Sequence, residues 1–493
     1  MIEFARLHKL WMPILLVSLL LLTSQAEAQK IARDTLVKAR QDTLPNRLVT
    51  INRVLIIGNK VTREQIISRE LSLKPGDTVG TKKIDGILLL DQRKIYNLRL
   101  FNTVTIQRFE LSENEVDLLV EVNERWYTFP VPIFELSDRN FNEWWQNYNH
   151  DIRRVNYGLR LYQYNFRGRN ETLRLTAQFG FTRRFQLSYR IPYIDKQQRH
   201  GLTFDFNYGE PKNIAYFTDD HKLKFYPEVQ PSTQTVRFFS GFSVSYTFRK
   251  SFYESHSLSY AYQNNRVIDT IAYLNPNYYK NSAVRQQYSS ITYSFNSEHR
   301  DVVAYPLKGY QITAFAQRTG LFIDTDVQQW ELNLTYAKYA DLGKNYYLSN
   351  FSSVYLSTPS EQPYTFFSAL GYRKQLVKGY EVYVIEGPNF FLNKTTLRKR
   401  IFSRTWQLED MPVKQFQYLP LVIYLKGYFD MGYVENYPYY ENLQINNRLS
   451  NRVLVGTGGG LDIVTSYDAV FRLEYTFTRE KTHGFFFHMK KEF

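Results

Sequence analysis

Residues 202–208 read Leu-Thr-Phe-Asp-Phe-Asn-Tyr and alternate strictly between apolar and polar side chains. Residues 242–248 (Phe-Ser-Val-Ser-Tyr-Thr-Phe) and 471–478 (Phe-Arg-Leu-Glu-Tyr-Thr-Phe-Thr) repeat this pattern. Successive side chains of a β-strand point to opposite faces of the sheet, so the alternation predicts strands with one apolar and one polar face. Comparable segments continue from about residue 150 to the C-terminus, separated by polar turns.

Two-faced strands of about ten residues are typical of β-barrels that span a membrane. Lipid cannot satisfy unpaired backbone groups, so such a sheet must close on itself and turn its apolar face outward. A soluble all-β protein is the alternative, but these segments offer no run suited to the shared core of a sandwich. The fold class predicted for residues 150–493 is therefore a membrane all-β barrel of about 16 antiparallel strands.

The composition agrees with a membrane barrel. Among 493 residues are 40 tyrosines and 36 phenylalanines, although the mean hydropathy of −0.43 alone would indicate a soluble protein. Tyrosine joins an apolar ring to a polar tip and is stable at a membrane interface. The chain has no cysteine, which excludes disulfides and thiolate metal sites. Its net charge of +15 includes no long basic run, so we expect no nucleic-acid partner.

The first 28 residues have the features of a secretory signal peptide. Arg6 and Lys9 precede the apolar run WMPILLVSLLLL, and Ala-Glu-Ala follows at residues 26–28. A single membrane-anchoring helix is the alternative, but the run is short for a span of about 20 residues. We therefore predict a signal peptide at 1–28 and an exported chain, with a polar linker at residues 29–48.

Residues 49–125 mix helical and strand periodicity and predict a small α/β domain. A buried strand ends at the turn Gly58–Asn59, two helical segments follow, and two alternating strands complete the unit. The predicted order is β-α-α-β-β. Residues 126–149 are predicted to be a linker into the barrel.

Several of these segments resemble the superfamily of outer-membrane protein assembly and secretion barrels of the BamA and TamA type, which includes bacterial surface antigens. Residues 57–77 and 95–106 are similar to a POTRA domain, and residues 299–311 and 454–463 resemble barrel strands of the superfamily. The resemblance covers about residues 49–493 and implies one POTRA-like domain before the barrel.

One segment resembles the signature of a long loop that folds back into the barrel lumen in this superfamily. It consists of Val377, Lys378, Gly379 and Tyr380. The superfamily usually carries arginine at the position of Lys378, so a planar, bidentate donor is replaced here by a flexible point charge. The resemblance implies that this lumen loop motif contributes to activity.

The resemblance also implies partners for the loop on the barrel wall. The pattern Tyr-Phe-Asp-Met-Gly at residues 428–432 is similar to a late strand of the superfamily and supplies Asp430 and Gly432. A second acidic residue is often present on the strand after the loop, but this chain has Thr396 there. We therefore expect the Lys378 side chain to pair with Asp430.

The C-terminal segment is predicted to be the last barrel strand and a signal for barrel insertion. Four of its residues share one parity, which suits a lipid-facing strand: Phe485, Phe487, Met489 and Phe493. Outer-membrane barrels commonly end on phenylalanine, as this chain does.

The function implied by the resemblance is non-enzymatic assembly or insertion of outer-membrane proteins, or polypeptide translocation. The implied partners are unfolded outer-membrane or secreted polypeptides, outer-membrane lipid, and accessory periplasmic proteins or lipoproteins. The implied location is the bacterial outer membrane, with the N-terminal domain in the periplasm. Two alternatives remain open: a dedicated secretion pore for one partner protein, and a passive channel or surface antigen.

The sequence carries no recognisable enzyme motif. It has no His-Glu-x-x-His pair and no Gly-x-Ser-x-Gly elbow. The glycine-rich run at residues 456–460 is flanked by strand-like residues and does not lead into a helix, so strand curvature is preferred over a nucleotide site. No catalytic residue, cofactor or metal is predicted.

Overall fold

A computed structural model describes residues 47–136, 152, 155–227, 234–321, 326–371, 375–408 and 417–490. The predicted signal peptide, nearly all of the linker at 29–48, and Phe493 lie outside these residues. The α-helices of the described residues are α1 Glu64–Ser68, α2 Thr81–Asn97, α3 Asp269–Leu274 and α4 Pro438–Leu443. Among the ranges described, no helix has the length and apolarity needed to cross a membrane.

The strands follow one another along the chain with these bounds: β1 Leu48–Ile57, β2 Thr78–Gly80, β3 Phe101–Glu110, β4 Glu115–Glu124, β5 Thr128–Leu136, β6 Val155–Phe166, β7 Glu171–Gly180, β8 Arg183–Ile191, β9 His200–Glu210, β10 Ile214–Asp219, β11 Lys222–Tyr226, β12 Arg237–Arg249, β13 Glu254–Val267, β14 Arg285–Glu298, β15 Gly309–Thr319, β16 Gln329–Gly343, β17 Tyr346–Thr358, β18 Ala369–Leu370, β19 Ile385–Glu386, β20 Asn389–Gln407, β21 Tyr418–Val434, β22 Val453–Thr465, β23 Val470–Thr478 and β24 His483–Lys490.

The N-terminal domain is a four-stranded sheet in the order β2-β1-β4-β3, accompanied by α1 and α2. Strand β1 runs parallel to β4 and antiparallel to β2. Its core contains Ile51, Ile84, Leu88 and Leu118. The predicted order β-α-α-β-β therefore gains one short strand, β2, between the helices.

The second unit is a sixteen-stranded antiparallel sheet that forms the barrel. Its order is β5 to β9, then β12 to β17, then β20 to β24, with each strand paired to the strands beside it in this order. The hairpins β10–β11 and β18–β19 lie in connections and form separate two-stranded sheets. The prediction of an all-β barrel with about 16 strands is confirmed.

The first barrel strand corrects the predicted boundary at residue 150. Strand β5 pairs antiparallel with β6, from Thr128 opposite Gln163 to Leu136 opposite Val155. It lies inside the segment 126–149 that was predicted to be a linker. Its sequence contains two prolines, which lack the N–H that a central strand would donate. Because of these two prolines, the sequence pattern did not predict a strand here.

The two faces of the barrel strands follow the predicted alternation. Phe204 and Phe206 on β9 are 41% and 46% exposed, and Tyr475 and Phe477 on β23 are 42% and 52% exposed. Between the last two, Thr476 is fully buried against the interior. The apolar face is therefore the outer, lipid-contacting face, and the polar face lines the lumen.

The connections at the barrel end opposite Thr128 share a tyrosine-rich core, which we call the cap. It joins segments that follow β9, β13, β17 and β21, and its buried members are Ile214, Val236, Val267, Ile271, Tyr278, Tyr279, Tyr364, Phe367, Tyr437 and Tyr440. The rings of Phe367 and Tyr437 stack with centroids 3.9 Å apart. Aromatic stacking adds to the burial of apolar area, so these loops form one packed structure.

His221, at the turn between β10 and β11, links this hairpin to the connections that follow β17 and β21. Its Nε2 accepts a hydrogen bond from the Leu449 backbone N–H at 2.9 Å, and its own backbone N–H donates to the Asn446 side-chain oxygen at 2.8 Å. Its backbone carbonyl accepts from the N–H of Val384 at 2.8 Å. Burial, with a smaller contribution from Arg448, lowers the pKa of His221 from 6.5 to about 4.

We predict that acid loosens the cap. The pKa of His221 is lower in the folded protein than in the unfolded chain. The stabilisation of the docked hairpin by neutral His221 is therefore fully present above pH 6.5 and is lost as the pH falls toward 4. At pH 5 the loss is about 2 kcal/mol. Hydrogen exchange at the amides of Leu449 and Val384, corrected for intrinsic rates, should therefore accelerate between pH 7.5 and pH 5.

The control is His221→Gln, which keeps a side-chain acceptor for the Leu449 amide but does not titrate. Its exchange rates should change little over the same pH interval. Equal acceleration in the parent and in this variant would show that another group controls the cap.

Candidate functional site: the lumen loop on the inner wall

The site is built by the connection from β17 to β20, residues 359–388, which we call the lumen loop. The short strands β18 and β19 pair with each other at its base, and a tight turn follows Val377. Between these two strands, the backbone N–H of Tyr380 donates to the carbonyl of Val377 at 3.2 Å, and that of Tyr383 donates to the carbonyl of Tyr380 at 2.9 Å.

Apolar packing seats the loop against the barrel wall. Val377 and Tyr380 are 1% and 3% exposed. They belong to one cluster with inward-facing residues of β17, β20, β21 and β22, namely Tyr355, Phe390, Leu392, Val434 and Leu454. These wall residues point into the lumen, so Val377 and Tyr380 pack on the inner side of the barrel wall.

Three glycines allow the loop backbone to approach the wall. Gly379 has φ +89°, a conformation that favours glycine, and a Cβ there would lie 2.4 Å from a methyl of Thr478. A Cβ on Gly456 of β22 would lie 2.0 Å from the carbonyl oxygen of Lys378. One on Gly432 of β21 would lie 2.6 Å from Val377. The absence of a side chain at Gly432 therefore leaves the space that Val377 of the loop occupies.

Lys378 uses its backbone and its side chain on different carboxylates. Its backbone N–H donates to Asp430 at 3.3 Å, while its ammonium lies 3.1 Å from Glu474 on β23 and 3.6 Å from the ring centroid of Tyr428. The expected ion pair between the Lys378 side chain and Asp430 is therefore corrected. Asp430 accepts a hydrogen bond from the Lys378 backbone N–H, and Glu474 forms the ion pair with the Lys378 ammonium. Across the sheet, Asp430 lies opposite Lys394 of β20.

A second lysine, Lys426 of β21, connects the loop site to a deeper ionic cluster. It contacts both Glu474, at 2.6 Å, and Asp462 of β22. Asp462 also lies 3.6 Å from Arg398 and 3.8 Å from Arg472. The side chains of Lys426, Asp462 and Glu474 are at most 2% exposed, so their charges are compensated by ionic partners and not by water.

The loop also reaches the terminal hairpin of the barrel, β23–β24. The Tyr380 hydroxyl donates to Glu480 in the turn of this hairpin. Glu381, which accepts the Gly379 N–H at 2.7 Å, lies 3.7 Å from His488 on the last strand. The tip of the loop is therefore tied to the hairpin that ends the sheet.

Sequence reasoning missed the two carboxylates that organise the charge network, Glu474 and Asp462. Glu474 was assigned to the polar face of β23, and Asp462 closes the glycine-rich segment of β22. Their parity, which points them into the lumen next to the loop, is the signal that could have found them. Register decides which carboxylate meets the lysine, and register was not available from the sequence.

The predicted C-terminal signal lies on the outer face as far as it is described. Phe485 and Phe487 are 66% and 59% exposed, in agreement with a lipid-facing strand. The backbone of Met489 pairs with Phe471, while its side chain and Phe493 lie outside the described residues. The role of these residues as an insertion signal remains a prediction.

Two protein-family models match parts of the chain. The Omp85 superfamily domain matches residues 165–391, and the POTRA domain described as a surface antigen variable number repeat matches residues 49–125. The chain therefore contains an Omp85 superfamily domain within a sixteen-stranded outer-membrane β-barrel, with one POTRA domain before the barrel. No curated protein matches it.

The chain is also similar to solved structures, at identities that show the fold alone. CdiB from Escherichia coli is 10% identical, with a TM-score of 0.52 over 90% of this chain and 75% of that one. BamA from Haemophilus ducreyi lacking POTRA domains 1–3 is 14% identical, with a TM-score of 0.49 over 90% of this chain and 82% of that one. CdiB from Acinetobacter baumannii is 13% identical, with a TM-score of 0.47 over 90% and 73%.

We predict that Gly456→Ala displaces the lumen loop. The added methyl would overlap the carbonyl oxygen of Lys378, so the loop must move away from the wall. Limited proteolysis in outer-membrane vesicles should then cut within residues 375–388 faster than in the parent protein. The control is Gly427→Ala on β21, where an added Cβ would have only an oxygen 3.9 Å away. Equal cutting of both variants would show that the methyl at Gly456 is accommodated.

Proposed function

We propose that this chain is a non-enzymatic factor of the bacterial outer membrane that assembles or translocates polypeptides. The observation that carries the proposal is the lumen loop motif on the inner wall, tied at its tip to the terminal hairpin β23–β24. A loop that contacts both the wall and the last strands can couple the state of the lumen to the end of the sheet. A passive pore needs no such tie.

The proposal places the N-terminal domain in the periplasm, where it would meet unfolded polypeptides. Strand β3, Phe101–Glu110, is a terminal strand of its sheet. A terminal strand can pair with an extended polypeptide through main-chain hydrogen bonds, which give affinity without requiring one sequence. This property suits a factor that handles many clients.

The terminal strands of the barrel sheet, β5 and β24, would provide the second such edge. Pro130 and Pro132 in β5 have no N–H to donate, so this strand offers fewer main-chain hydrogen bonds than its neighbours. Fewer hydrogen bonds favour exchange with an incoming strand. Outer-membrane lipid, with accessory periplasmic proteins or lipoproteins, completes the proposed set of partners.

The proposal is tested by depletion of the protein followed by quantitative analysis of the outer-membrane proteome. Broad loss of other barrels is the expected result for assembly. Loss of one exported protein would instead assign dedicated secretion for one partner. An unchanged proteome, with altered permeability to small solutes, would overturn both and leave a passive channel or surface antigen.

We predict that Lys378→Ala fails to restore the depleted strain although its barrel is folded. Glu474 keeps Lys426 as a partner in this variant, so no buried charge is left uncompensated. Lys426→Ala, in contrast, removes the nearest cation of both Glu474 and Asp462, whose remaining cationic partners are 3.1 Å or more away, and should lower the amount of heat-modifiable barrel. The control is Lys250→Ala, whose side chain is 64% exposed. Normal activity of Lys378→Ala would contradict a functional role of the motif.

A double-variant comparison tests the pairing itself. Glu474→Gln combined with Lys378→Ala should be no worse than the more severe single variant, because both changes break the same contact. Effects on client assembly that simply add would show that the two side chains act independently.

A further inference from the structure

Three hydrogen-bond donors lie where the cap meets the inner barrel wall. They belong to Arg237 at the start of β12, Tyr279 in the connection after α3, and Gln286 near the start of β14. Tyr279 and Gln286 are 3% and 1% exposed, and the Nε atom of Arg237 is buried as well. We call these three residues the cap donor cluster.

The strand register brings the two wall residues of the cluster together. Arg237 differs in parity from the lipid-facing Phe242, so it points inward. It lies opposite Val267, a buried member of the cap, and its Nη2 donates to Oδ1 of Asn265 on β13 at 2.9 Å. Gln286 lies opposite Asn265 on the other side. Asn265 therefore lies between the two donors.

Two connections close over the wall residues. The ring of Tyr279 packs against that of Tyr278, with centroids 4.9 Å apart, and its hydroxyl lies near the Arg237 guanidinium without forming a hydrogen bond to it. From the lumen loop, the hydroxyl of Thr365 donates to Oε1 of Gln286 at 3.2 Å. The wall, the cap and the lumen loop therefore meet at the cluster.

The cluster has more donors than acceptors. Among the residues that the structure describes, the Nε–H of Arg237, the hydroxyl of Tyr279 and the amide nitrogen of Gln286 have no hydrogen-bond partner. The two amide oxygens at hand are already used, that of Asn265 by Arg237 and that of Gln286 by Thr365. Buried donors of folded proteins are nearly always paired, so three unpaired donors in one place indicate that an acceptor binds there.

The charge of the cluster determines which acceptor fits. Within the described ranges, Arg237 forms no ion pair, and the groups that interact with it most strongly are tyrosine hydroxyls. Further along the inner wall, the carboxylate of Glu331 on β16 accepts hydrogen bonds from Tyr355 and Gln317 instead. Water can accept from the three donors, but only an anion also compensates the charge of the guanidinium.

We propose that the cap donor cluster is a binding site for a small monovalent anion, of which chloride is the probe. N–H and O–H donors around one guanidinium define the charge of the ligand, and the low exposure of Tyr279 and Gln286 excludes a large one. The bound anion ties β12 and β14 to the connection after α3 and so stabilises the docked cap. The proposal does not depend on the assembly or translocation of polypeptides.

The test compares the purified full-length protein in sodium chloride and in sodium gluconate at equal ionic strength. Gluconate has the same charge as chloride but is too large for a buried site. The readout is hydrogen exchange at the Ile268 amide, which donates to the carbonyl of Val236 in the cap at 3.1 Å. Exchange should be several-fold slower in chloride, and the effect should saturate as the chloride concentration rises.

Two variants show whether the cluster is the site of this effect. Tyr279→Phe removes one donor and keeps the packed ring, so the chloride effect should shrink several-fold while heat-modifiable mobility shows a folded barrel. Arg237→Gln removes the charge and should abolish the effect. The control is Arg285→Gln, an exposed arginine on β14 that should keep the full effect.

Two results would overturn the proposal. Equal exchange of the parent protein in both salts would show that the cluster holds water and no anion. A chloride effect that is undiminished in folded Tyr279→Phe would show that chloride acts elsewhere, whether or not Arg237→Gln folds.

Discussion

The rest of this structure depends on the need of every backbone N–H and C=O to find a partner where water is absent. In hydrocarbon an unpaired group costs several kcal/mol, and a sheet that curls into a barrel pairs its groups between neighbouring strands. Among the described residues, each of the sixteen strands is paired with the strands beside it in the sheet order. The alternation of apolar and polar side chains follows from the same constraint, because each strand must contact lipid on one face and the lumen on the other.

The polar inner face makes the lumen loop site possible. Strands that must place polar groups inward can hold Lys426, Asp462 and Glu474 there at low exposure, since each charge has an opposite charge within reach. Close approach of the loop then requires the wall to lack a side chain at Gly456. Shape therefore determines where the loop lies, and charge determines how its tip is oriented.

The sequence allowed the strand class and the facing of individual residues to be predicted, because a period of two is a local property. Strand β5 was missed since Pro130 and Pro132 contradict the usual preferences of a central strand, whereas a strand at the end of the sheet order tolerates them. The partner of Lys378 was missed for a different reason. Several inward carboxylates were available, and only the register of β21 to β23 and the path of the loop determine which of them is reached.

A lysine at position 378 suits the different contacts that Asp430 and Glu474 make with the loop. An arginine fork can donate to two acceptors from one planar group, whereas an ammonium on a flexible stem acts as a point charge. Lys378 directs that charge to Glu474 and leaves Asp430 to the backbone N–H of the same residue. The backbone contact does not depend on the identity of the side chain at this position. The side chain can therefore be lost without detaching Asp430, so the motif combines a positional anchor with a separable charge contact.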